Sequence, residues 1–217
     1  MNNINNESGR SMIEMLGVLA IIGVLSVGGI AGYSKAMMQY KINKTADQIT
    51  QIVGNVRTLF ASQKSYSAID GCNGGSSNKT LLKKAHVIPD EMWNADGTGI
   101  ENAFGGRVEI LTASKKKGAW DCKGFGIILY GIPEEACMSL ATYDWGSGSS
   151  SGFTAIGVNA ASPMGLSSYA ELLQGKIGTN SAVAVPNGAT VSVPMPVNVA
   201  ATACQTGDNN QITIDFY

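Results

Sequence analysis

From Met15 to Ser34 the chain runs for 20 residues without a formal charge. As a helix this stretch would be about 30 Å long, the thickness of a bilayer's hydrocarbon core. Beyond Tyr33 the pattern changes without a proline. Ile42, Ala46, Ile49, Val53, Val56 and Phe60 recur at three- and four-residue steps, with Lys41, Lys44, Asp47, Gln51, Asn55 and Arg57 between them. That spacing predicts an amphipathic helix over 35–66 with one apolar face. Joined, the two segments predict a single helix of about 50 residues, well above the usual globular length; the alternative is a membrane anchor followed by a separate helix. Gly17, Gly23, Gly28, Gly29 and Gly32 interrupt the apolar run. Each weakens an isolated helix by up to about 1 kcal/mol relative to alanine, so they point either to close packing of a neighbouring helix or to local unwinding.

The remainder alternates turn-rich and strand-like segments. Ile69 to Thr80 clusters Gly71, Gly74, Gly75, Ser76 and Ser77 around Cys72 and reads as a loop. Arg107–Thr112 and Gly124–Tyr130 are rich in β-branched and large apolar residues, with a turn signal at Ser114–Gly118 between them, and predict a long-looped hairpin. Pro133, Glu134 and Glu135 stand where a helix's first turn wants them, so a short helix carrying Cys137 follows. Tyr143–Gly152 is a Gly/Ser loop and Phe153–Val158 a strand. Gln211–Tyr217 alternates apolar and polar residues, as a terminal strand with one buried face should. Gly165–Val183 stays open between helix and loop. No internal repeat and no interdomain linker is visible.

At 217 residues the chain can bury one substantial core. A net charge of −1 with 14% charged residues argues against nucleic acid as the main partner. Cys72, Cys122, Cys137 and Cys204 all follow the apolar run and show no C-x-x-C spacing, which favours disulfides in an oxidising compartment over a zinc site. His86 is the one histidine and has no nucleophile or acid arranged around it in the sequence, so it reads as structural and no catalytic set is identified. Gly175-Lys176 lacks the flanking residues of a phosphate loop. Phe104-Gly105-Gly106-Arg107 precedes a strand, the wrong context for a dinucleotide site. Lys115–Lys117 reads as a solvated turn, and the sequons at Asn43 and Asn78 are too short to carry an inference. No cofactor and no metal is implied.

The most informative residue is Glu14, a carboxylate at the threshold of the apolar run. A charge in a bilayer costs roughly 2.5–3.5 kcal/mol on insertion scales, so such an acid needs a partner and is a functional-site hypothesis by default. The octet Gly9-Arg10-Ser11-Met12-Ile13-Glu14-Met15-Leu16 resembles the leader-peptidase site of type IV prepilins, in which glycine precedes the cut and glutamate is the fifth residue after it. The partner this implies is the α-amine that cleavage between Gly9 and Arg10 would free.

The head is similar to that of type IVb pilins of the thin-pilus class. Gly99-Ile100, Asn102, Phe104-Gly105-Gly106, Ile132-Pro133, Cys137, Ala203-Cys204 and a C-terminal strand fall in the order those pilins show. The resemblance implies an α+β fold: a long N-terminal helix, membrane-spanning and then amphipathic, packed on an antiparallel sheet in a disulfide-bonded head. It implies a leader at 1–9, a transmembrane and filament-core helix at 10–34, an amphipathic helix at 35–66 and a head at 67–217. Four cysteines allow three connectivities; the resemblance implies Cys137 with Cys204, which leaves Cys72 with Cys122.

The implied function is that of a non-enzymatic subunit. It would be inserted in the inner membrane, cleaved by prepilin peptidase and polymerised by the pilus assembly machinery into a helical homo-oligomer for adhesion, conjugation, aggregation or motility. Glu14 would act in assembly, Gly23, Gly28, Gly29 and Gly32 in helix flexibility, and the new terminus would be a site of methylation. Arg10 departs from the apolar residue the family favours there, and the leader lacks lysine and arginine. Lys35, Lys41 and Lys44, counted alone, would hold the head in the cytoplasm; the four cysteines outweigh them. A secretion pseudopilin or minor pilin shares these features. A secreted or anchored binding protein, with an ordinary signal cut near Gly29-Ile30-Ala31, is the alternative of another class.

Overall fold

The computed structural model describes residues 8–70, 72, 77–112, 115–116, 119–120, 122–146, 152–159 and 194–216. Helix α1 spans Ser8–Phe60, 53 residues without interruption. One helix therefore runs through both the apolar and the amphipathic segment. It stops at Phe60 rather than at 66 because the chain must turn back there. The buried Phe60 ring meets Tyr66 with centroids 5.2 Å apart, and the Tyr66 amide donates to the Cys122 carbonyl at 2.7 Å. The chain divides after Tyr40 into an N-terminal unit that is entirely helix among its described residues and a compact unit from Lys41 to Tyr217.

The compact unit is built on strands β1 (Val108–Thr112), β4 (Phe125–Ile132), β5 (Phe153–Val158) and β6 (Asn210–Phe216). They form an antiparallel sheet in the order β1-β4-β6-β5. Directly opposed residues of antiparallel strands share a face, so the register lays three rows across all four strands: Val108, Leu129, Ile212, Val158; then Ile110, Ile127, Ile214, Ile156; then Thr112, Phe125, Phe216, Phe153. This face meets the buried side of α1, where Ile42, Ile49, Ile52, Val53, Val56 and Phe60 lie. The Arg57 guanidinium stands 5.6 Å over the Phe216 ring, and Tyr66 bridges Phe60 to Phe125. A smaller ribbon, β2 (Lys115–Lys116) with β3 (Ala119–Trp120), occupies the loop of the expected hairpin. Helices α2 (Lys79–Lys84), α3 (Glu134–Ala141) and α4 (Val197–Ala203) and a 3-10 turn at Asp90–Met92 complete the described elements.

Two expectations change. The C-terminal strand does not have one wet face. It lies between β4 and β5, and Thr213 and Asp215 are as buried as Ile212 and Ile214; alternation in sequence reports polarity, whereas a central strand covered on both faces buries both sets. The segment Ile69–Thr80 is also more than a loop. Asp70 accepts from the Thr112 amide (3.0 Å) and hydroxyl (2.7 Å), and Ser77 Oγ both donates to the Ile110 carbonyl (2.8 Å) and accepts from the Ile110 amide (3.1 Å). Side chains thus take the place of a neighbouring strand along the open edge of β1 and close it to other chains. Gly165–Val183 lies outside the described residues.

The turn before β1 depends on close backbone approach. Asn102 Oδ1 accepts from the amides of Phe104 and Gly106, and its Nδ2 donates to the Tyr130 carbonyl at 2.9 Å. A Cβ on Gly106 would overlap that same backbone carbonyl, and Gly131, at φ +67°, lies against Gly106. Neither neighbour is a flexible side chain that can swing away. Gly106→Ala should therefore destabilise the head by about 1–3 kcal/mol, read as a lowered denaturation midpoint; an unchanged midpoint would mean the turn relaxes freely.

Candidate functional site

The N-terminal unit presents apolar side chains on every side of α1. Met12 (71% exposed), Ile13 (74%) and Val24 (75%) are typical of the run through Ile30. A helix apolar all round is not stable in water and requires lipid or other helices. Ser26 and Ser34 turn their hydroxyls onto the carbonyls of Ile22 and Ile30, at 2.7 and 3.0 Å, so neither brings an unpaired donor into such surroundings. Gly9 and Arg10 lie in the first turn of α1, and the exposed Glu14 comes one turn later. Positions 10 and 14 have the i, i+4 spacing of helix neighbours. Gly23, Gly28, Gly29 and Gly32 are helical, and a Cβ at any of them would meet nothing within 4 Å. No contact among the described residues requires glycine at these places.

In the compact unit the structure joins Cys72 to Cys122 and Cys137 to Cys204, with Cα separations of 5.8 and 5.9 Å. Cys72 and Cys122 both adopt left-handed backbone, φ 62° and 50°, which costs a non-glycine residue of order 1 kcal/mol or more. Asp70 steadies this site, its Oδ1 accepting the Cys72 amide at 2.8 Å while Thr112 holds the same carboxylate. The second bridge ties the buried Cys137 of α3 to the end of α4. Next to it an asparagine pair gathers four segments. Asn210 donates to the carbonyls of Ile132 (3.1 Å) and Gln205 (2.9 Å), while Asn159 donates to Ala203 O (2.9 Å) and Asn210 Oδ1 (2.8 Å).

Glu91 links the 3-10 turn to α1. Gln48 Nε2 donates to it at 2.7 Å and Lys44 Nζ stands 3.1 Å away. The Gln48 hydrogen bond, then Lys44, hold its carboxyl below the usual range. His86 takes a structural place: its backbone is left-handed at φ 49°, and Asn55 of α1 donates to the neighbouring Val87 carbonyl at 3.0 Å. Among the described residues no group of three His, Cys, Asp or Glu side chains could hold a metal ion.

The sequence reading picked out the cysteines but missed Asp70, Asn159 and Asn210. Each has a partner 42 to 78 residues away, beyond any local motif. The weak signal available was an Asx residue beside a turn.

The PilS N-terminal family model matches residues 39–216, which is the whole helix-on-sheet head, so the chain belongs to that family and is a type IV pilin. No curated protein matches it by sequence. Among solved structures, it is similar to a type IVb pilin from Salmonella typhi, with 16% identity over 76% of this chain and 93% of that one and a TM-score of 0.45. It is also similar to TcpA, a type IV pilin from Vibrio cholerae El Tor biotype, with 16% identity, 82% and 99% coverage and a TM-score of 0.47.

The Cys137–Cys204 bridge spans 67 residues. In the chain-entropy picture a loop of that size is worth about 4 kcal/mol. Replacing both cysteines by serine should lower the denaturation midpoint of the head accordingly, while peptide mapping still finds Cys72 joined to Cys122. Mapping of the wild type that joined Cys122 to Cys137 would contradict the connectivity.

Proposed function

We propose that the chain is made as a prepilin, inserted in the bacterial inner membrane through residues 10–34 with its head outside the cytoplasm. It is then cut after Gly9 by a prepilin peptidase and polymerised through α1 into a helical pilus of identical subunits. The observation that carries this reading is the continuous α1, whose C-terminal part is buried under the sheet while the apolar side chains from Met12 to Ile30 stand exposed among the described residues. Lipid covers that surface before assembly, and neighbouring α1 helices cover it afterwards, when apolar burial supplies most of the cohesion. Adhesion, conjugation, aggregation and motility are the uses such a filament serves, and no catalysis is involved.

Cleavage after Gly9 frees the α-amine of Arg10 one helical turn from Glu14. The amine of the same chain, or of the adjoining subunit, offsets the cost of the carboxylate in apolar surroundings, and it does so at one axial position only. Glu14 is then the registration device of the filament. The glycines at 23, 28, 29 and 32 let α1 helices approach closely or unwind locally.

Two experiments test this. Mass spectrometry of the mature chain should find Arg10 first, and Gly9→Val should leave the precursor uncut, since a bulky residue replaces the small one at the scissile bond. A Gly32 terminus would instead mark a secreted protein, and intact Met1 an uncleaved anchor. Glu14→Ala, with no wild-type subunit present, should leave insertion and head folding intact but reduce sheared filaments to a small fraction, with Glu14→Asp milder. Normal yields of straight filaments from the alanine strain would rule out the registration role.

A further inference from the structure

The central strand β6 carries a carboxyl group that neither the assembly reading nor the disulfide frame uses. Asp215 is 3% exposed. It lies opposite Gly126 of β4 on one side and Ala155 of β5 on the other, so neither flanking residue has a side chain able to donate to it. Among the described residues its Oδ1 has no hydrogen-bond partner, and neither does the hydroxyl of Thr213, two residues earlier on the same face. A carboxylate so placed would be a bare charge inside the protein, whereas a carboxylic acid is a neutral group.

We propose that Asp215 is kept as a neutral acid in the folded head and that its ionisation loosens the central strand, making the head an acid-favoured structure that weakens as its surroundings turn alkaline.

Among the described residues, the charged groups around it do not provide a counter-ion. On the Asp215 face, β4 contributes only the Tyr130 hydroxyl and β5 no titratable side chain. β1, two strands away, contributes Glu109, which is occupied by Arg107 at 2.9 Å. From α3, which packs against β5 and β6, come Glu134 and Glu135, both exposed acids that would repel rather than stabilise a charge. Arg57 of α1 stands over Phe216, and alternate residues of a strand point to opposite faces, so it is across the sheet from Asp215. Desolvation alone pushes the Asp215 carboxyl up to about 8, consistent with this geometry. Because the folded head holds the proton more tightly than the unfolded chain, the stabilisation is complete in acid. It is lost progressively as pH rises from the ordinary aspartate range, about 3.9, to about 8, and is gone above that.

The test uses the full chain in detergent micelles and follows denaturant unfolding of the wild type, Asp215→Asn and Thr213→Val. Asparagine keeps the shape and cannot ionise. The ratio of wild-type to Asp215→Asn unfolding constants should rise about tenfold per pH unit between roughly pH 5 and pH 7, then level off above about pH 8. Thr213→Val disturbs the same face and should track the wild type's pH slope. A ratio independent of pH overturns the proposal. If Asp215→Asn does not fold, isotope-edited infrared spectra of the folded wild type decide. The carbonyl band of a protonated aspartic acid should be present at about pH 6 and disappear above about pH 9; its absence at the lower pH overturns the proposal as well. Filament yield plays no part in either readout, so this result stands apart from the assembly tests.

Discussion

Among the described residues the apolar surface of α1 from Met12 to Ile30 is left exposed, and that constraint sets what the rest of the helix must do. Each exposed leucine, isoleucine or valine forgoes about 1.5–3 kcal/mol that burial would return, so the helix is stable only in lipid or against other helices. It still has to begin on a folded head. From Lys41 onward the same helix therefore becomes one-sided, burying Ile42, Ile49, Ile52, Val53, Val56 and Phe60 against the sheet. No proline intervenes between Ser8 and Phe60, and the helix is continuous through both environments.

A head that serves as the handle of such a helix has a topological difficulty of its own. The last strand, β6, inserts between β4 and β5, and its neighbour β4 lies about 80 residues earlier in the chain. Pairings of that separation must offset a large loop-closure entropy before they gain anything. The two disulfides and the asparagine pair act at the places where this cost falls. Cys137–Cys204 brings the segment after β4 to the segment before β6, and Asn210 then fixes the start of β6 to the Ile132 carbonyl. At the far edge Asp70 and Ser77 occupy the open side of β1 next to Cys72–Cys122. Both long excursions are thus fastened at a sheet boundary, and along β1 the amides of Ile110 and Thr112 and the Ile110 carbonyl are already taken.

Most of the elements were legible because their signals are local and periodic. The 3.6-residue recurrence from Ile42 to Phe60, the β-branched runs at 108–112 and 125–132, and Pro133 with two glutamates each specify an element without outside help. The continuity of α1 was legible from the lack of a breaker. What could not be read depends on distant partners. α2 is a single short helix whose cap, Asn78 Oδ1 to the Leu81 amide at 3.1 Å, is hidden in a glycine- and serine-rich stretch. The central place of β6 is set by β5, more than 50 residues upstream, and nothing in Gln211–Phe216 distinguishes a central strand from an edge. Of the candidate site, the cleavage motif and Glu14 are legible as sequence alone, since their proposed chemistry belongs to the membrane and the filament rather than to the folded monomer.

This division between local and distant determinants also explains why Asp215 looked ordinary in the sequence. In a terminal strand with a wet face, an aspartate opposite glycine and alanine is a solubilising residue with no demands on its neighbours. In a central strand the same small neighbours become a defect, because they supply no donor and leave the carboxyl oxygen unsatisfied in a low-dielectric layer. A neutral acid removes the charge at the cost of a pH-dependent head, and that cost is tolerable where the sheet is already fastened covalently at two boundaries. The disulfides constrain the unfolded chain at every pH. A bare acid at the centre of the sheet can therefore weaken the head without releasing its frame.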